Sequence, residues 1–143
     1  MLKYTSDEFF MALVIWREAR GEPLRAQIAV GFCILDRVNH PKWWGHNIMD
    51  VIRKRLQFSS MTDPRDKQLT TWPGPKDYSW DNALQVAAGV ISGGYVNPAD
   101  GADSYHDISI PSPKWAEEKK FVAQIGRLKF YNVDKDIEAE NGQ

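Results

Sequence analysis

Apolar residues fall along this chain in separate blocks, and their spacing predicts most of its elements. Phe9, Phe10, Leu13, Val14 and Trp16 recur at helical intervals behind Thr5, which is followed three residues later by Glu8. A Thr with a Glu three positions on is a capping box, each side chain taking the other's backbone N–H. A first helix is expected from about Ser6 to about Arg20, with Gly21 placed to end it. Pro23 suits the first turn of a second helix whose apolar positions include Leu24, Ile28, Phe32, Leu35 and Val38, and Asn39-His40-Pro41 closes it.

Trp43-Trp44-Gly45-His46 reads as a loop, and Ile48, Val51, Ile52 and Leu56 share one side of a short amphipathic helix from about Asn47 to Arg55. The stretch from Gln57 to Tyr78 is rich in Ser, Thr, Asp, Pro and Gly, which predicts a long surface loop with room for one helical turn. Ser79 is the expected cap of a further helix carrying Trp80, Leu84, Ala87, Val90 and Ile91, stopped by Gly93-Gly94. Beyond it, Phe121 to Ile125 and Leu128 to Tyr131 flank Gly126-Arg127 and suggest a hairpin. The expected class is α+β, mainly helical, with a small antiparallel sheet or hairpin in the C-terminal half. Residues 1–133 form a single domain in this scheme, followed by a polar, largely acidic tail over 134–143.

Composition narrows the partners. A chain of 143 residues can bury about two thirds of its unfolded surface without a metal or disulfide. The net charge of −1 supplies no general attraction to nucleic acid or an anionic membrane. The single cysteine, Cys33, rules out an internal disulfide and sits in apolar surroundings, so a buried packing thiol is expected. The run from Phe9 to Trp16 is too short to span a bilayer and has the wrong flanks for a secretory signal, so no integral membrane segment is expected. His40, His46 and His106 are too scattered for a zinc site, and no phosphate-binding loop or serine elbow occurs. No cofactor or metal is expected.

One segment carries candidate chemistry. Trp16-Arg17-Glu18-Ala19-Arg20-Gly21-Glu22-Pro23 puts a carboxylate at the end of a strongly apolar helix. Partial desolvation there would raise its pKa toward neutrality, as a general acid requires; a surface ion pair with the flanking arginines is the plainer alternative.

Read with Gln27-Ile28-Ala29-Val30, Ile34 to Asn39 and Gln57-Phe58-Ser59, that segment resembles the cell-wall hydrolase domain of the SleB and CwlJ family, spore cortex-lytic enzymes with phage relatives. The likeness continues more weakly through Ala83 to Gly94, Tyr105-His106, Trp115 and Ile125-Gly126. It implies a lysozyme-like core and cleavage of the bond between N-acetylmuramic acid and N-acetylglucosamine in peptidoglycan glycan strands. The catalytic acid of the family carries over onto Glu18. Glu22 matches the second acid of the motif; it is expected to bond backbone amides at the start of the second helix, or else to position Glu18 or substrate. Gln57, Phe58 and Ser59, with Asp103, Tyr105 and His106, are the candidate walls of the sugar groove, although Phe58 fits a core position better than the cleft. Ser60-Met61 departs from the family pattern, where an aromatic is expected.

Two mechanisms fit such a site. A hydrolase needs a second carboxylate, about 5 to 5.5 Å from the acid in a retaining enzyme or about 6.5 to 9.5 Å in an inverting one. Asp63, Asp103 and Asp107 are the candidates. A lytic transglycosylase needs none, because the muramic 6-hydroxyl attacks its own anomeric carbon, and this reaction is favoured. Other possibilities are a hydrolytic muramidase, or a non-catalytic glycan-binding or phage structural protein of the same fold. The biological setting expected is a monomeric phage or prophage endolysin. It would be made in the host cytoplasm and admitted to the periplasm and wall by a holin or its equivalent.

Overall fold

The computed structural model describes residues 3–39, 45–54 and 58–133. Along the chain run α1 (Ser6–Ala19), α2 (Leu24–Asn39), α3 (Ile48–Arg53), α4 (Ser59–Thr62), α5 (Tyr78–Ser92), β1 (Ser104–Asp107), β2 (Phe121–Ile125) and β3 (Leu128–Tyr131). Short 3-10 turns occur at Lys67–Thr70 and Glu118–Lys120. The molecule is mainly helical with a small antiparallel sheet in its C-terminal half, as expected. Gln57, the Trp43-Trp44 pair, His40 and the tail from Asp134 lie outside the described residues.

The axis of the molecule is α1. Its start is fixed by the capping box: Glu8 N–H donates to Thr5 Oγ1 at 3.1 Å, and Thr5 N–H donates to Glu8 Oε1 at 2.7 Å. From Met11 to Arg17, and again at Ala19, every residue is buried, and the helix packs against α5, α2, α3 and α4. A helix apolar on all sides belongs inside a core, which accounts for the unbroken run Met11 to Trp16. The Pro23 carbonyl accepts the first bonds of α2 from Ala26 and Gln27. Leu24, expected on the buried face, is 49% exposed, and burial begins at Ala26. Cys33 is buried as a packing thiol; burial pushes its pKa up, and its Sγ lies 3.7 Å from the Ala102 carbonyl.

The cap of α5 is Asp77, not Ser79. The Asp77 carboxylate accepts the N–H groups of Ser79 and Trp80, and a charged acceptor outcompetes a hydroxyl two residues later. Ser79 instead accepts a bond from Trp16 Nε1 at 2.9 Å, pinning α5 to α1. At the other end Gly93 adopts φ +81° and Gly94 N–H reaches back to the Gly89 carbonyl at 2.7 Å, the left-handed stop that glycine allows.

The sheet has strand order β1-β3-β2, all antiparallel. The β2–β3 hairpin turns at Gly126, whose φ is +59°. Its conformation is only half of the reason for glycine there: an added Cβ would lie 2.6 Å from Glu22 Oε1 and 2.7 Å from Pro23 Cδ. The hairpin thus docks on the α1–α2 corner, with Arg127 N–H donating to Glu22 Oε1 at 2.7 Å. No helix among the described residues is long and apolar enough to cross a membrane.

Candidate active site

Glu18 is the one residue between Met11 and Ala19 that is not fully buried. It opens onto a cleft of about 400 Å³ between the loop-rich segment 58–72 and the sheet. Burial is the main force raising its pKa above the ordinary carboxyl value, and Asp66 adds to it. The C-terminal end of α1, with its exposed carbonyl dipoles, pushes in the same direction. Bonds from Ser60 and Tyr105 and the charge of Arg37 oppose that rise without cancelling it.

Each oxygen of the acid has one hydroxyl partner. Ser60 Oγ donates to Glu18 Oε2 at 2.6 Å, and the Tyr105 hydroxyl donates to Oε1. Burial and the neighbouring Glu18 raise the Tyr105 pKa well above the phenol value, so the phenol stays neutral and keeps its proton. When Glu18 is itself protonated, one of these hydroxyls turns and accepts, which hydroxyls can do and ammonium groups cannot.

The two hydroxyls come from opposite walls. Ser60 lies on α4, held by Arg17: its Nη1 donates to the Ser60 carbonyl at 3.0 Å and its Nε to the Thr71 carbonyl at 3.2 Å. Burial lowers the pKa of this guanidinium, against the charge of Asp66. Arg20, one turn further on, donates through Nη1 to Gln68 Oε1 at 2.9 Å. Tyr105 lies on β1 opposite Phe130 of β3, and Asp107, two residues on, shares its face of the strand and also borders the cleft.

The sequence-derived wall residues divide. Ser59 borders the cleft and donates through Oγ to Asp66 Oδ2 at 2.6 Å. Phe58 is 2% exposed and packed under the Arg37 guanidinium at 4.7 Å, although it also borders the cleft. His106 borders the cleft from a nearly buried position, its ring stacked on Tyr131 at 5.6 Å. Its Nδ1 lies 3.0 Å from the Asp107 carbonyl, an acceptor only, so Nδ1 is the donor in that bond. Asp103 is not on the wall. It is fully buried, and its carboxylate accepts from Val133 N–H and Ser104 Oγ, both at 2.9 Å, while its carbonyl accepts from Arg37 Nε at 2.8 Å. It braces the start of β1 against the chain leaving β3. Glu22 is half-buried and serves the hairpin turn rather than the amides of α2, because the turn supplies an N–H that the Pro23 corner cannot.

Ser60, Arg17, Asp66 and Trp115 also border the cleft, though none is among the wall residues expected from sequence. For Ser60 the signal was present: it is where the chain departs from the family pattern, and the departure places a hydroxyl on the acid. Met61, the other departing residue, accepts from Arg17 Nη1 at 3.3 Å. Among possible second carboxylates, Asp63 is engaged with Arg65, its oxygens 2.9 to 3.1 Å from that residue's donors. Asp66 caps the turn at Lys67–Thr70 through Gln68 N–H. Asp107 accepts from Ser109 N–H at 2.8 Å and faces Arg127 at 3.5 Å; although burial opposes it, these contacts hold its carboxyl below the usual range. Among the described residues no group of three or more His, Cys, Asp or Glu side chains is placed to hold a metal ion.

The fold matches two solved structures over 92% of this chain, each with a TM-score of 0.69 and 24% identity. They are the catalytic domain of the germination-specific lytic transglycosylase SleB from Bacillus anthracis, covered to 98%, and that of the Bacillus cereus SleB protein, covered to 94%. Two spore cortex-lytic enzymes are similar in sequence: that of Halalkalibacterium halodurans is 28% identical over 127 residues, and that of Bacillus subtilis 25% identical over 122. These matches take in 89% and 85% of the chain but only 35% and 36% of the relatives, so it spans about a third of their length. The cell wall hydrolase family model matches residues 21–131, and the chain belongs to that family.

Proposed function

We propose that this chain cleaves the N-acetylmuramic acid–N-acetylglucosamine bond of peptidoglycan as a lytic transglycosylase, with Glu18 as its one catalytic carboxyl. The observation that carries the reading is the state of Glu18: a carboxyl with a raised pKa at the cleft wall, with a neutral hydroxyl on each oxygen. The likeness of the fold to the Bacillus anthracis lytic transglycosylase domain agrees with it.

In the first half-reaction Glu18 gives its proton to the glycosidic oxygen while the bond from that oxygen to the muramic C1 breaks, leaving positive charge on the ring. The ionised Glu18 then accepts the proton of the muramic 6-hydroxyl as that oxygen bonds to C1. The product is a 1,6-anhydro sugar, no water is consumed, and Glu18 is reprotonated for the next turnover. Asp66 and Asp107 line the cleft but are committed to local partners, which favours a path needing no second carboxylate. Asp107 keeps a hydrolytic muramidase as the second reading, since its depressed pKa leaves it ionised beside the cleft.

Mass spectrometry of digested, purified peptidoglycan tests the proposal: anhydro-muramic ends support it, reducing muramic ends select hydrolysis, and uncut glycan overturns both. Glu18→Gln is expected to lower turnover by roughly 10³-fold, the middle of the range for a lost general acid. The same variant gives a thermodynamic check. A carboxyl whose folded pKa lies above its unfolded one costs stability as pH rises between the two. Gln removes that cost, so the Tm of Glu18→Gln should exceed that of the parent at neutral pH, and the gap should close at acidic pH.

A further inference from the structure

We propose that Trp72 is a sugar-stacking platform at the outer end of the cleft, receiving the face of a sugar further along the glycan strand held at Glu18. This rests on the glycosidase reading of the site. The indole of Trp72 is 61% exposed, unusual for a large aromatic side chain, yet it is not loose. The Arg17 guanidinium lies 4.6 Å from its ring centroid, and that guanidinium is itself anchored to the Ser60 and Thr71 carbonyls. One face of the indole therefore rests on a fixed cation and the other is presented to solvent.

The position links this surface to the reaction. Arg17 lines the catalytic cleft and directly precedes Glu18 in sequence, so Trp72 stands one guanidinium away from the cleft wall. The wall segment itself runs from Ser59 through Asp66 and Gln68, all bordering the cleft, and ends at Thr71 beside the indole. A glycan strand is a polymer, and a strand emerging past this wall meets that ring. Pyranose sugars carry an apolar C–H face that a flat aromatic surface covers well, and a ring already immobilised loses little freedom on binding. Pro73-Gly74-Pro75 follow at once, restricting the backbone next to the indole and contributing no large side chain of their own.

The test compares substrate lengths. Trp72→Ala should raise KM for long glycan strands by roughly tenfold, equivalent to about 1.4 kcal/mol, and raise KM for a tetrasaccharide of the same disaccharide much less. Trp72→Tyr should restore most of the loss. An equal loss on both lengths would mean that the indole acts through Arg17 on the acid and overturns the platform, as would unchanged kinetics on long strands. Co-sedimentation with the same strands separates this from the functional reading, because it needs no turnover. If the parent binds but does not cut, the glycosidase reading fails. If Trp72→Ala sediments with strands as the parent does, the platform fails.

Discussion

The two walls of the cleft reach the same carboxylate by different constructions. The segment from residue 58 to residue 72 is made of single turns, α4 and the 3-10 turn at Lys67–Thr70, and beyond its buried Phe58 it hangs from α1 by side chains, Arg17 on the Ser60 and Thr71 carbonyls, Arg20 on Gln68 and Glu18 on Ser60. The opposite wall is the sheet, where Tyr105 is fixed by its register with Phe130, and where His106, Trp115 and Tyr131 pack ring against ring. A sheet wall moves only if its ladder breaks. A hung wall moves when one side chain is cut. Glu18 takes one hydroxyl from each, so its environment combines a rigid donor and a conditional one.

Arg17→Met should have the largest effect of the changes that leave the acid in place. It keeps an apolar stem and removes both carbonyl bonds, freeing Ser60 from its position. A displacement of about 1 Å at a catalytic contact can cost roughly 100-fold in rate, which is the expected loss in turnover. Hydrogen exchange should show faster opening of 58–72 with the sheet amides unchanged; equal protection in both walls would break the contrast.

A smaller effect separates the two hydroxyls. Both Ser60 and Tyr105 lower the pKa of Glu18 by bonding its ionised form. Ser60→Ala and Tyr105→Phe should each lower kcat by roughly tenfold and shift the basic limb of the pH–rate profile to higher pH, because the proton is then held more tightly. A shift to lower pH in either variant would mean that the hydroxyl favours the protonated acid. Combining Tyr105→Phe with Arg17→Met sharpens the contrast further: the losses should add if the walls are independent.

The smallest effect on catalysis should come from the hairpin tip. Gly126→Ala places a methyl group against Glu22 and Pro23 in a backbone conformation that disfavours it, and should cost about 1–3 kcal/mol of stability. Denaturant unfolding would measure the cost, while turnover of the folded fraction should fall by less than the change at Ser60 produces.

What could be read from the chain beforehand follows the same division. The capping box at Thr5 and Glu8, the stop at Gly93-Gly94 and the turn at Gly126 are local, and each is written in a few adjacent residues. Asp77 and Ser79 are both good caps two positions apart; the charge favours Asp77, and the bond that Ser79 accepts from Trp16 is visible only in the fold. Glu18 was legible because its apolar helix and the ordered motifs around it coincide. Ser60, 42 residues away, and the carbonyls gripped by Arg17 were not, since contacts of that separation leave no periodicity in sequence. Asp103 looked like a cleft residue because it neighbours Tyr105, yet it is buried and bonded to Val133 N–H, far along the chain.

The short stretch from Glu18 to Glu22 has a practical meaning for protein engineering. Its first acid faces the cleft, and its second, four residues later, holds the tip of the β2–β3 hairpin. The motif ties the cleft carboxyl at one end to the hairpin of the sheet bearing Tyr105 at the other. Grafting Glu-Ala-Arg-Gly-Glu onto another helix would carry over the carboxyl but neither the hairpin that its second acid holds nor the Ser60 and Tyr105 hydroxyls on its first.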